Sequence, residues 1–345
     1  MRWSQQTIET EERATLPGYR DEAVVRHFKA PDAVETRFYE VRAKTILNRV
    51  PEASRMPFRW TINPYRGCTH ACVFCFARPT HTYLDLDAGR DFEREIVVKV
   101  NAPERLRAEL RRPSWRGEHI ALGTNTDPYQ WVEGRYRLMR GIWEAMIEAR
   151  NSGSVLTKSP LLLRDLDLML ELNRRAPFTA ALSVPTIEER AWRASEPHTP
   201  SPRARLEAVA KLTAAGIRTG VLVAPLMPGI NDDPEQVREI LRLSSDAGAA
   251  YVTGIALHLR REVRQVFMEW LQAERPELVD RYRALYRRGA YAPADERRRL
   301  AALLAHPEHP GSGEWGRGRR VDPPARTPSP AKRPASGQER LFDPC

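Results

Sequence analysis

The 345-residue sequence holds only four cysteines, no run of about 18 apolar residues, and no apolar stretch near its start. So few cysteines exclude a disulfide-stapled scaffold, and the missing apolar run excludes a transmembrane helix. The opening MRWSQQTIETEERATL is polar and acidic rather than leader-like, so the expectation is a cytoplasmic protein with no membrane partner. What is present is 41% hydrophobic and 29% charged residues with a net charge of +10. The length is enough for one large domain or two of roughly 100–200 residues. The basic balance suits a nucleic-acid partner.

From about Phe58 to Ala256, short β-rich runs alternate with amphipathic helical patterns. The expected strands are Arg59–Asn63, His119–Gly123, Ser154–Lys158, Thr179–Val184, Thr219–Ala224 and Tyr251–Ala256. Most are near-continuous apolar runs, as strands buried on both faces require. The expected helices are Glu104–Arg112, Arg135–Asn151, Pro160–Arg174, Arg203–Ala215 and Pro234–Ala247. Gly216 and Gly248 supply left-handed C-caps, and Asp233 with Pro234 supplies an acidic N-cap and proline at N1. Such alternation implies right-handed βαβ units and an α/β barrel, complete or partial, with an open doubly wound sheet as the alternative. The run Glu95–Val100 falls outside this count, as an extra strand or insertion. The expected division is a flexible extension over 1–35, the α/β core over 36–258, an Arg-rich helical segment over 259–305 and a disordered tail over 306–345. Eight of the 28 prolines fall in that tail, which has too little apolar surface to offset its ordering entropy.

The loop after the first expected strand reads Asn63-Pro-Tyr-Arg-Gly-Cys68-Thr-His-Ala-Cys72-Val-Phe-Cys75-Phe76, a C-x3-C-x2-C spacing. Three thiolates this close meet one metal centre only if the backbone wraps around it, and Gly67 permits the tight turn. Four cysteines usually hold a cubane iron–sulfur cluster. The remaining cysteine, Cys345, ends the chain, so one iron would be left to take an exogenous ligand. A Cys3His zinc site recruiting His70 or His81 is an alternative. So are a disulfide, which would leave an odd cysteine, and clustering without a metal.

This spacing, with the aromatic Phe74 before the last cysteine, resembles the radical SAM signature, which implies a partial (βα)6 TIM-like barrel. The chain is further similar to the spore photoproduct lyase-like branch, in particular its bacterial members of unassigned substrate. The stretches that carry this are NPYRGCTHACVFCFARPTH, TDPYQ, TKSPLLLRDLDL, SEPHTPSPRARLEAV and PLMPGIND, and the similarity runs over roughly residues 36–290. It implies a [4Fe-4S] cluster on Cys68, Cys72 and Cys75, with S-adenosyl-L-methionine (SAM) on the fourth iron. Reductive cleavage then gives a 5′-deoxyadenosyl radical that abstracts hydrogen from a substrate. A reductant such as flavodoxin or ferredoxin is implied as partner.

By the same resemblance, Thr126 and Asp127 serve the SAM ammonium, Lys158 its carboxylate, Ser183 the ribose, and Phe74 the adenine or cluster. Acceptors suit a cationic amine. Each residue also has a plain structural reading: a turn at Asp127-Pro128, a solvated strand end at Lys158, a backbone-bonded hydroxyl at Ser183, a core ring at Phe74. Arg190 and Glu196 are further charged candidates, and His258, ending the sixth strand, is either a rim contact or a structural histidine. No catalytic residue is assigned. The lyases use a cysteine hydrogen donor shortly before the second-strand acidic motif. The matching position here is about Thr124, with Tyr129 the nearby phenol, so the same donor chemistry is not expected.

Between Arg260 and Arg299 stand 11 arginines against seven acids, with Trp270, Tyr282, Tyr286 and Tyr291 among them. Arginine with aromatics can hold phosphates and stack a base. The segment Gln338–Phe342 (QERLF) resembles the short motif that docks bacterial repair proteins on the sliding clamp. The functional expectation is a radical SAM enzyme, lyase-like, acting on DNA or another nucleic acid. The alternatives are radical modification of a peptide or protein, and a non-enzymatic zinc-stabilised nucleic-acid-binding protein.

Overall fold

The computed structural model describes residues 8–19, 22–28, 36–52, 54, 56–305 and 312–314. In chain order the strands are β1 (Ile8–Ala14), β2 (Ala23–Phe28), β3 (Arg37–Val41), β4 (Leu47–Arg49), β5 (Trp60–Ile62), β6 (Tyr65–Arg66), β7 (Glu95–Lys99), β8 (Ile120–Leu122), β9 (Gly153–Thr157), β10 (Phe178–Ser183), β11 (Thr219–Leu226), β12 (Tyr251–Ala256) and β13 (Ser312–Glu314). The α-helices are α1 (Arg90–Arg94), α2 (Ala102–Leu110), α3 (Glu133–Tyr136), α4 (Leu138–Ala149), α5 (Leu166–Arg175), α6 (Glu189–Ser195), α7 (Pro202–Ala214), α8 (Pro234–Asp246), α9 (Glu262–Glu274), α10 (Val279–Leu285) and α11 (Ala294–Leu304).

Strands β5 and β8 to β12 run parallel in sequence order, each bonded to the next. β4 adds antiparallel at one edge and β13 parallel at the other. A doubly wound sheet needs a point where strand order reverses. Here the order never reverses, as the expected partial (βα)6 barrel requires. The apolar runs explain it: β8 is wholly buried, and β10 nearly so, because helices cover one face and the barrel interior the other. Helix α4 shows how a helix joins this core. Leu138, Met139, Ile142, Trp143 and Met146 recur at helical spacing and are buried, and Trp143 meets Phe178 of β10 edge to face at 5.4 Å.

Two helices differ from the periodicity. The expected helix Arg135–Asn151 breaks at Arg137 (φ 55°), because the Glu133 carboxylate folds back to accept the amides of Leu138 and Met139 at 3.0 and 3.1 Å. It thereby caps α4. The expected helix Pro160–Arg174 begins as a 3-10 turn over Pro160–Asp165. There Arg164 and Asp165 are drawn inward, Arg164 pairing with Glu133 at 2.6 Å and Asp165 at 2.7 Å. At α8 the Asp233 side chain accepts the Gln236 amide at 2.9 Å, as the cap pattern requires.

The unplaced run Glu95–Val100 supplies β7, buried throughout, inside a second sheet ordered β1-β2-β3-β7-β6. Part of the extension expected to be loose therefore forms strands: β1 and β2 pair antiparallel and continue onto β3. Arg37 of β3 grips the buried Glu95 carboxylate at 2.7–3.0 Å, and Tyr39 donates to it at 2.7 Å. At the other end of the chain, α11 lies on β12, where a Cβ at Gly254 would stand 2.4 Å from Leu304 Cδ1 and 2.6 Å from Val223 O. Helices α9 and α10 pack Val263, Phe267, Leu271 and Tyr282 against Cys72, Phe74 and Met227, over the barrel mouth. Among the described residues no helix is long and apolar enough to cross a membrane. The segment Gln338–Phe342 and Cys345 lie outside the described residues.

Candidate active site

The second sheet launches the cysteine loop. β6 pairs with β7 through Tyr65 and Arg66, and the chain then turns at Gly67 (φ 83°). A Cβ at Gly67 would lie 2.8 Å from Ile96 Cδ1 and 2.9 Å from Phe92 O, so only glycine fits. The Cys68 amide donates to Phe92 O at 2.9 Å, and Ala71 bends the loop again at φ 54°. Fully buried Arg78 fastens the far side. Its guanidinium donates to the carbonyls of Cys72 (2.9 Å), Gly89 (2.8 Å) and Ala88 (3.1 Å), and pairs with Glu93. Cys68, Cys72 and Cys75 are free thiols, the first two buried and the third half-buried. Burial pushes the Cys72 thiol up, against the opposing pull of Lys158. Burial, with the neighbouring Cys68, raises Cys75 to about 11.

The TDPYQ stretch after β8 locks onto this loop. Thr126 Oγ1 donates to Gly67 O at 2.6 Å, and Gln130 accepts the Thr69 amide at 3.0 Å. Asp127 is a crossing point. It accepts the Tyr129 amide at 2.9 Å, the Thr157 hydroxyl at 2.6 Å and the Lys158 amide at 2.7 Å, and lies 3.3 Å from His70 Nδ1. Burial works to raise its carboxyl, but His70 and these donors together hold it below the usual carboxylate range.

Lys158, at the end of β9, donates to Ser183 Oγ at 2.7 Å and stands 2.5 Å from Glu196 Oε1. The latter contact is an ion pair without hydrogen-bond alignment, since Glu196 Oε1 has no aligned donor. The ammonium lies 5.6 Å from the Phe74 ring centre. Glu196 Oε2 in turn takes Arg205 Nη1 at 2.8 Å, and Arg205 also donates to Ser183 O at 2.9 Å. Burial alone would raise the Glu196 carboxyl; Arg205 and Lys158 bring it below its ordinary value. Residues expected from sequence thus meet at Lys158, whose ammonium reaches both Phe74 and Ser183 and whose backbone amide Asp127 accepts. Arg78, Gln130 and the Glu196–Arg205 pair complete the surroundings. Glu196 was a candidate from sequence; the other three were not, although each sits inside one of the quoted motif stretches.

Other expectations part from the site. The Tyr129 hydroxyl donates to Asp165 at 3.0 Å and accepts from Trp143 Nε1 at 2.7 Å, locked in the barrel's outer core and not free to give up hydrogen. Thr124 carries a buried hydroxyl with no partner among the described residues. His81 Nε2 faces Glu95 O at 2.8 Å. Arg190 is exposed beside the α6 N-terminus. His258 follows β12 and lies between Phe76 and Tyr291, with ring centres 6.1 and 5.8 Å away.

The sequence profile of the Radical SAM superfamily matches residues 62–243, more than half of the chain. An uncharacterized protein of Mycobacterium tuberculosis is 46% identical over 309 residues, covering 88% of this chain and 91% of its own. An uncharacterized protein of Methanocaldococcus jannaschii is 28% identical over 195 residues, 56% of this chain and 69% of the other. The fold is shared with spore photoproduct lyase complexed with dinucleoside spore photoproduct, at TM-score 0.55, 18% identity and 77% of each chain. Profile, thiol spacing and barrel agree: the chain belongs to the radical SAM superfamily and is a radical SAM enzyme.

Proposed function

We propose that Cys68, Cys72 and Cys75 hold a [4Fe-4S] cluster, that SAM binds beside it against Lys158, Ser183, Asp127 and Phe74, and that the substrate is nucleic acid. The observation that carries this reading is the gathering of three free thiols on one loop, two buried and one half-buried, beside the ammonium of Lys158. An all-thiol donor set suits a cluster. A Cys3His zinc site fits less well. His81 Nε2 is taken up by the Glu95 carbonyl at 2.8 Å, and His70, although it meets Cys68, has its Nδ1 engaged 3.3 Å from the Asp127 carboxylate.

When bound, cluster and SAM supply one-electron reductive cleavage of the sulfonium carbon–sulfur bond, the electron coming from a flavodoxin- or ferredoxin-like reductant. The protein's part is positioning and exclusion. Lys158 offers a carboxylate a cation already desolvated and held by Ser183 and Glu196, so little reorganisation is left to pay for. Asp127 fixes the β9 end from which Lys158 projects. Helices α9 and α10 cover Cys72 and Phe74 and keep water away.

A nucleic-acid substrate is supported by the +10 charge and by the fold shared with a lyase solved with a dinucleoside lesion. Thr124 in place of the lyases' cysteine argues against the same repair reaction. Anaerobic reconstitution should load about four irons and four sulfides per chain, and dithionite with SAM should release 5′-deoxyadenosine. An intact cluster that releases none would defeat the proposal. Stimulation by peptide rather than oligonucleotide would turn it toward peptide modification. Clamp docking through Gln338–Phe342 rests on sequence alone; unchanged clamp retention after deleting residues 338–345 would reject it.

A further inference from the structure

An exposed row of flat groups crosses the rim beside the cysteine loop. Phe76, directly after Cys75, is 52% exposed, and Tyr291 is 48% exposed. His258 stands between them, tilted 38° to Phe76 and 31° to Tyr291, and the Arg260 guanidinium lies 5.1 Å from the Tyr291 ring centre. Large aromatic rings at the surface of a water-facing rim lose contact area that burial would recover, which marks a surface made to be covered.

The row is braced rather than loose. His258 bridges antiparallel to Tyr291, and the Leu259 amide donates to Ala290 O at 2.8 Å. The Tyr286 hydroxyl donates to Leu257 O at 2.8 Å, while Arg264 grips the carbonyls of Tyr286 and Gly289. Cations surround it. Arg261, Arg287 and Arg288 are exposed on the two segments that carry the row, and among the described residues they make no ion pair or side-chain hydrogen bond. Other arginines nearby, Arg275, Arg281, Arg283 and Arg299, are all paired to carboxylates. Flat faces with unneutralised guanidinium groups alongside match one chemistry: a planar base attached to a phosphate backbone.

We propose that Phe76, His258 and Tyr291 form a stacking platform for an unpaired base of a nucleic-acid strand, whose phosphates are held by Arg260, Arg261, Arg287 and Arg288. The platform deepens the nucleic-acid reading above and rests on it for the substrate class. It would deliver a base to the edge of the cysteine loop through Phe76.

The test is equilibrium binding of the full chain, without SAM or reductant, so that its outcome is independent of radical chemistry. The probes are fluorescent oligothymidine and oligouridine strands of about 12 nucleotides and an abasic strand of the same length. The abasic strand should bind at least about fivefold more weakly than a base-bearing one. Tyr291→Leu should erase most of that difference, Tyr291→Trp should keep it, and melting temperatures should confirm that both variants fold. Replacing Arg287 and Arg288 by glutamine should lower the salt slope of strand binding by about 0.7 per lost phosphate contact. The DNA and RNA strands distinguish the source of the base, and base-dependent binding of either supports the platform. Equal binding of abasic and base-bearing strands overturns it, as does an unchanged Tyr291→Leu. Competitive displacement of the strand by SAM would assign the rings to the cofactor and also overturn it. Failure to release 5′-deoxyadenosine would leave these binding results standing and count against the radical reading alone.

Discussion

Glu196 sits between two cations that need it unequally. Arg205 is fully buried, whereas the Lys158 side chain retains 14% exposure and also reaches Ser183. Removing one partner of a buried pair costs about 3–5 kcal/mol because a charge is left uncompensated. Glu196→Ala leaves both cations stranded and should destabilise the fold by that amount in urea unfolding. Lys158→Met leaves Glu196 paired with Arg205, so its stability loss should be clearly smaller than that of Glu196→Ala, while SAM affinity by calorimetry should drop at least about tenfold. Equal stability losses would refute the asymmetry. Asp127→Asn replaces one acceptor with a donor facing the backbone amide of Lys158 or that of Tyr129. A buried mismatch of that kind costs about 1–3 kcal/mol, and the loosened β9 end should also reduce 5′-deoxyadenosine release.

At the scale of elements, the turn from β6 into the cysteine loop is the most constrained joint. Gly67→Ala would place a methyl against Ile96, His81 and the Phe92 carbonyl at a backbone angle that disfavours any side chain. The strain costs about 1–3 kcal/mol. The sharper expectation is in metal loading: iron per chain after anaerobic reconstitution should fall to less than half while circular dichroism stays near wild type. Full loading would show that the loop does not depend on this turn. The barrel elements were legible because each carries its own signal, such as the apolar run of β10 or the Asp233-Pro234 start of α8. Strand β7 was not, since EIVVK is as apolar as a barrel strand and only pairing shows it belongs to the other sheet. β1 and β2 hid for the opposite reason: IETEERA, an edge strand, and AVVRHF, inside it, carry charges and too little apolar alternation to read as strands. Of the site, the thiols stood out by their spacing, and Lys158 was named through the family resemblance. Arg78 and Arg205 stood out by neither, because an arginine becomes a buried strut only through carbonyls and carboxylates brought from elsewhere in the chain.

Across the whole molecule, the two sheets meet where β7 runs beside the entry to the cysteine loop, and a buried lysine sits at the joint. Lys99 donates to Asn63 O at 2.9 Å, and burial, helped by Arg66, lowers its pKa to about 8. In the unfolded chain the same group titrates near 10.4. Between these values the folded protein binds fewer protons than the unfolded one, so this group's contribution to stability rises with pH across the window of about 8 to 10. Below it the charged ammonium is buried at a cost on the order of 3 kcal/mol; above it the cost is gone. Lys99→Met removes the titration but keeps most of the volume, leaving Asn63 O without its donor at every pH. Urea unfolding of both proteins at several pH values through that window cancels the alkaline behaviour of all other groups in the difference. Wild type should gain on Lys99→Met by up to about 3 kcal/mol as pH rises. Parallel curves would mean that Lys99 keeps its charge at an ordinary pKa, and that water reaches the joint between the sheets from which the cysteine loop departs.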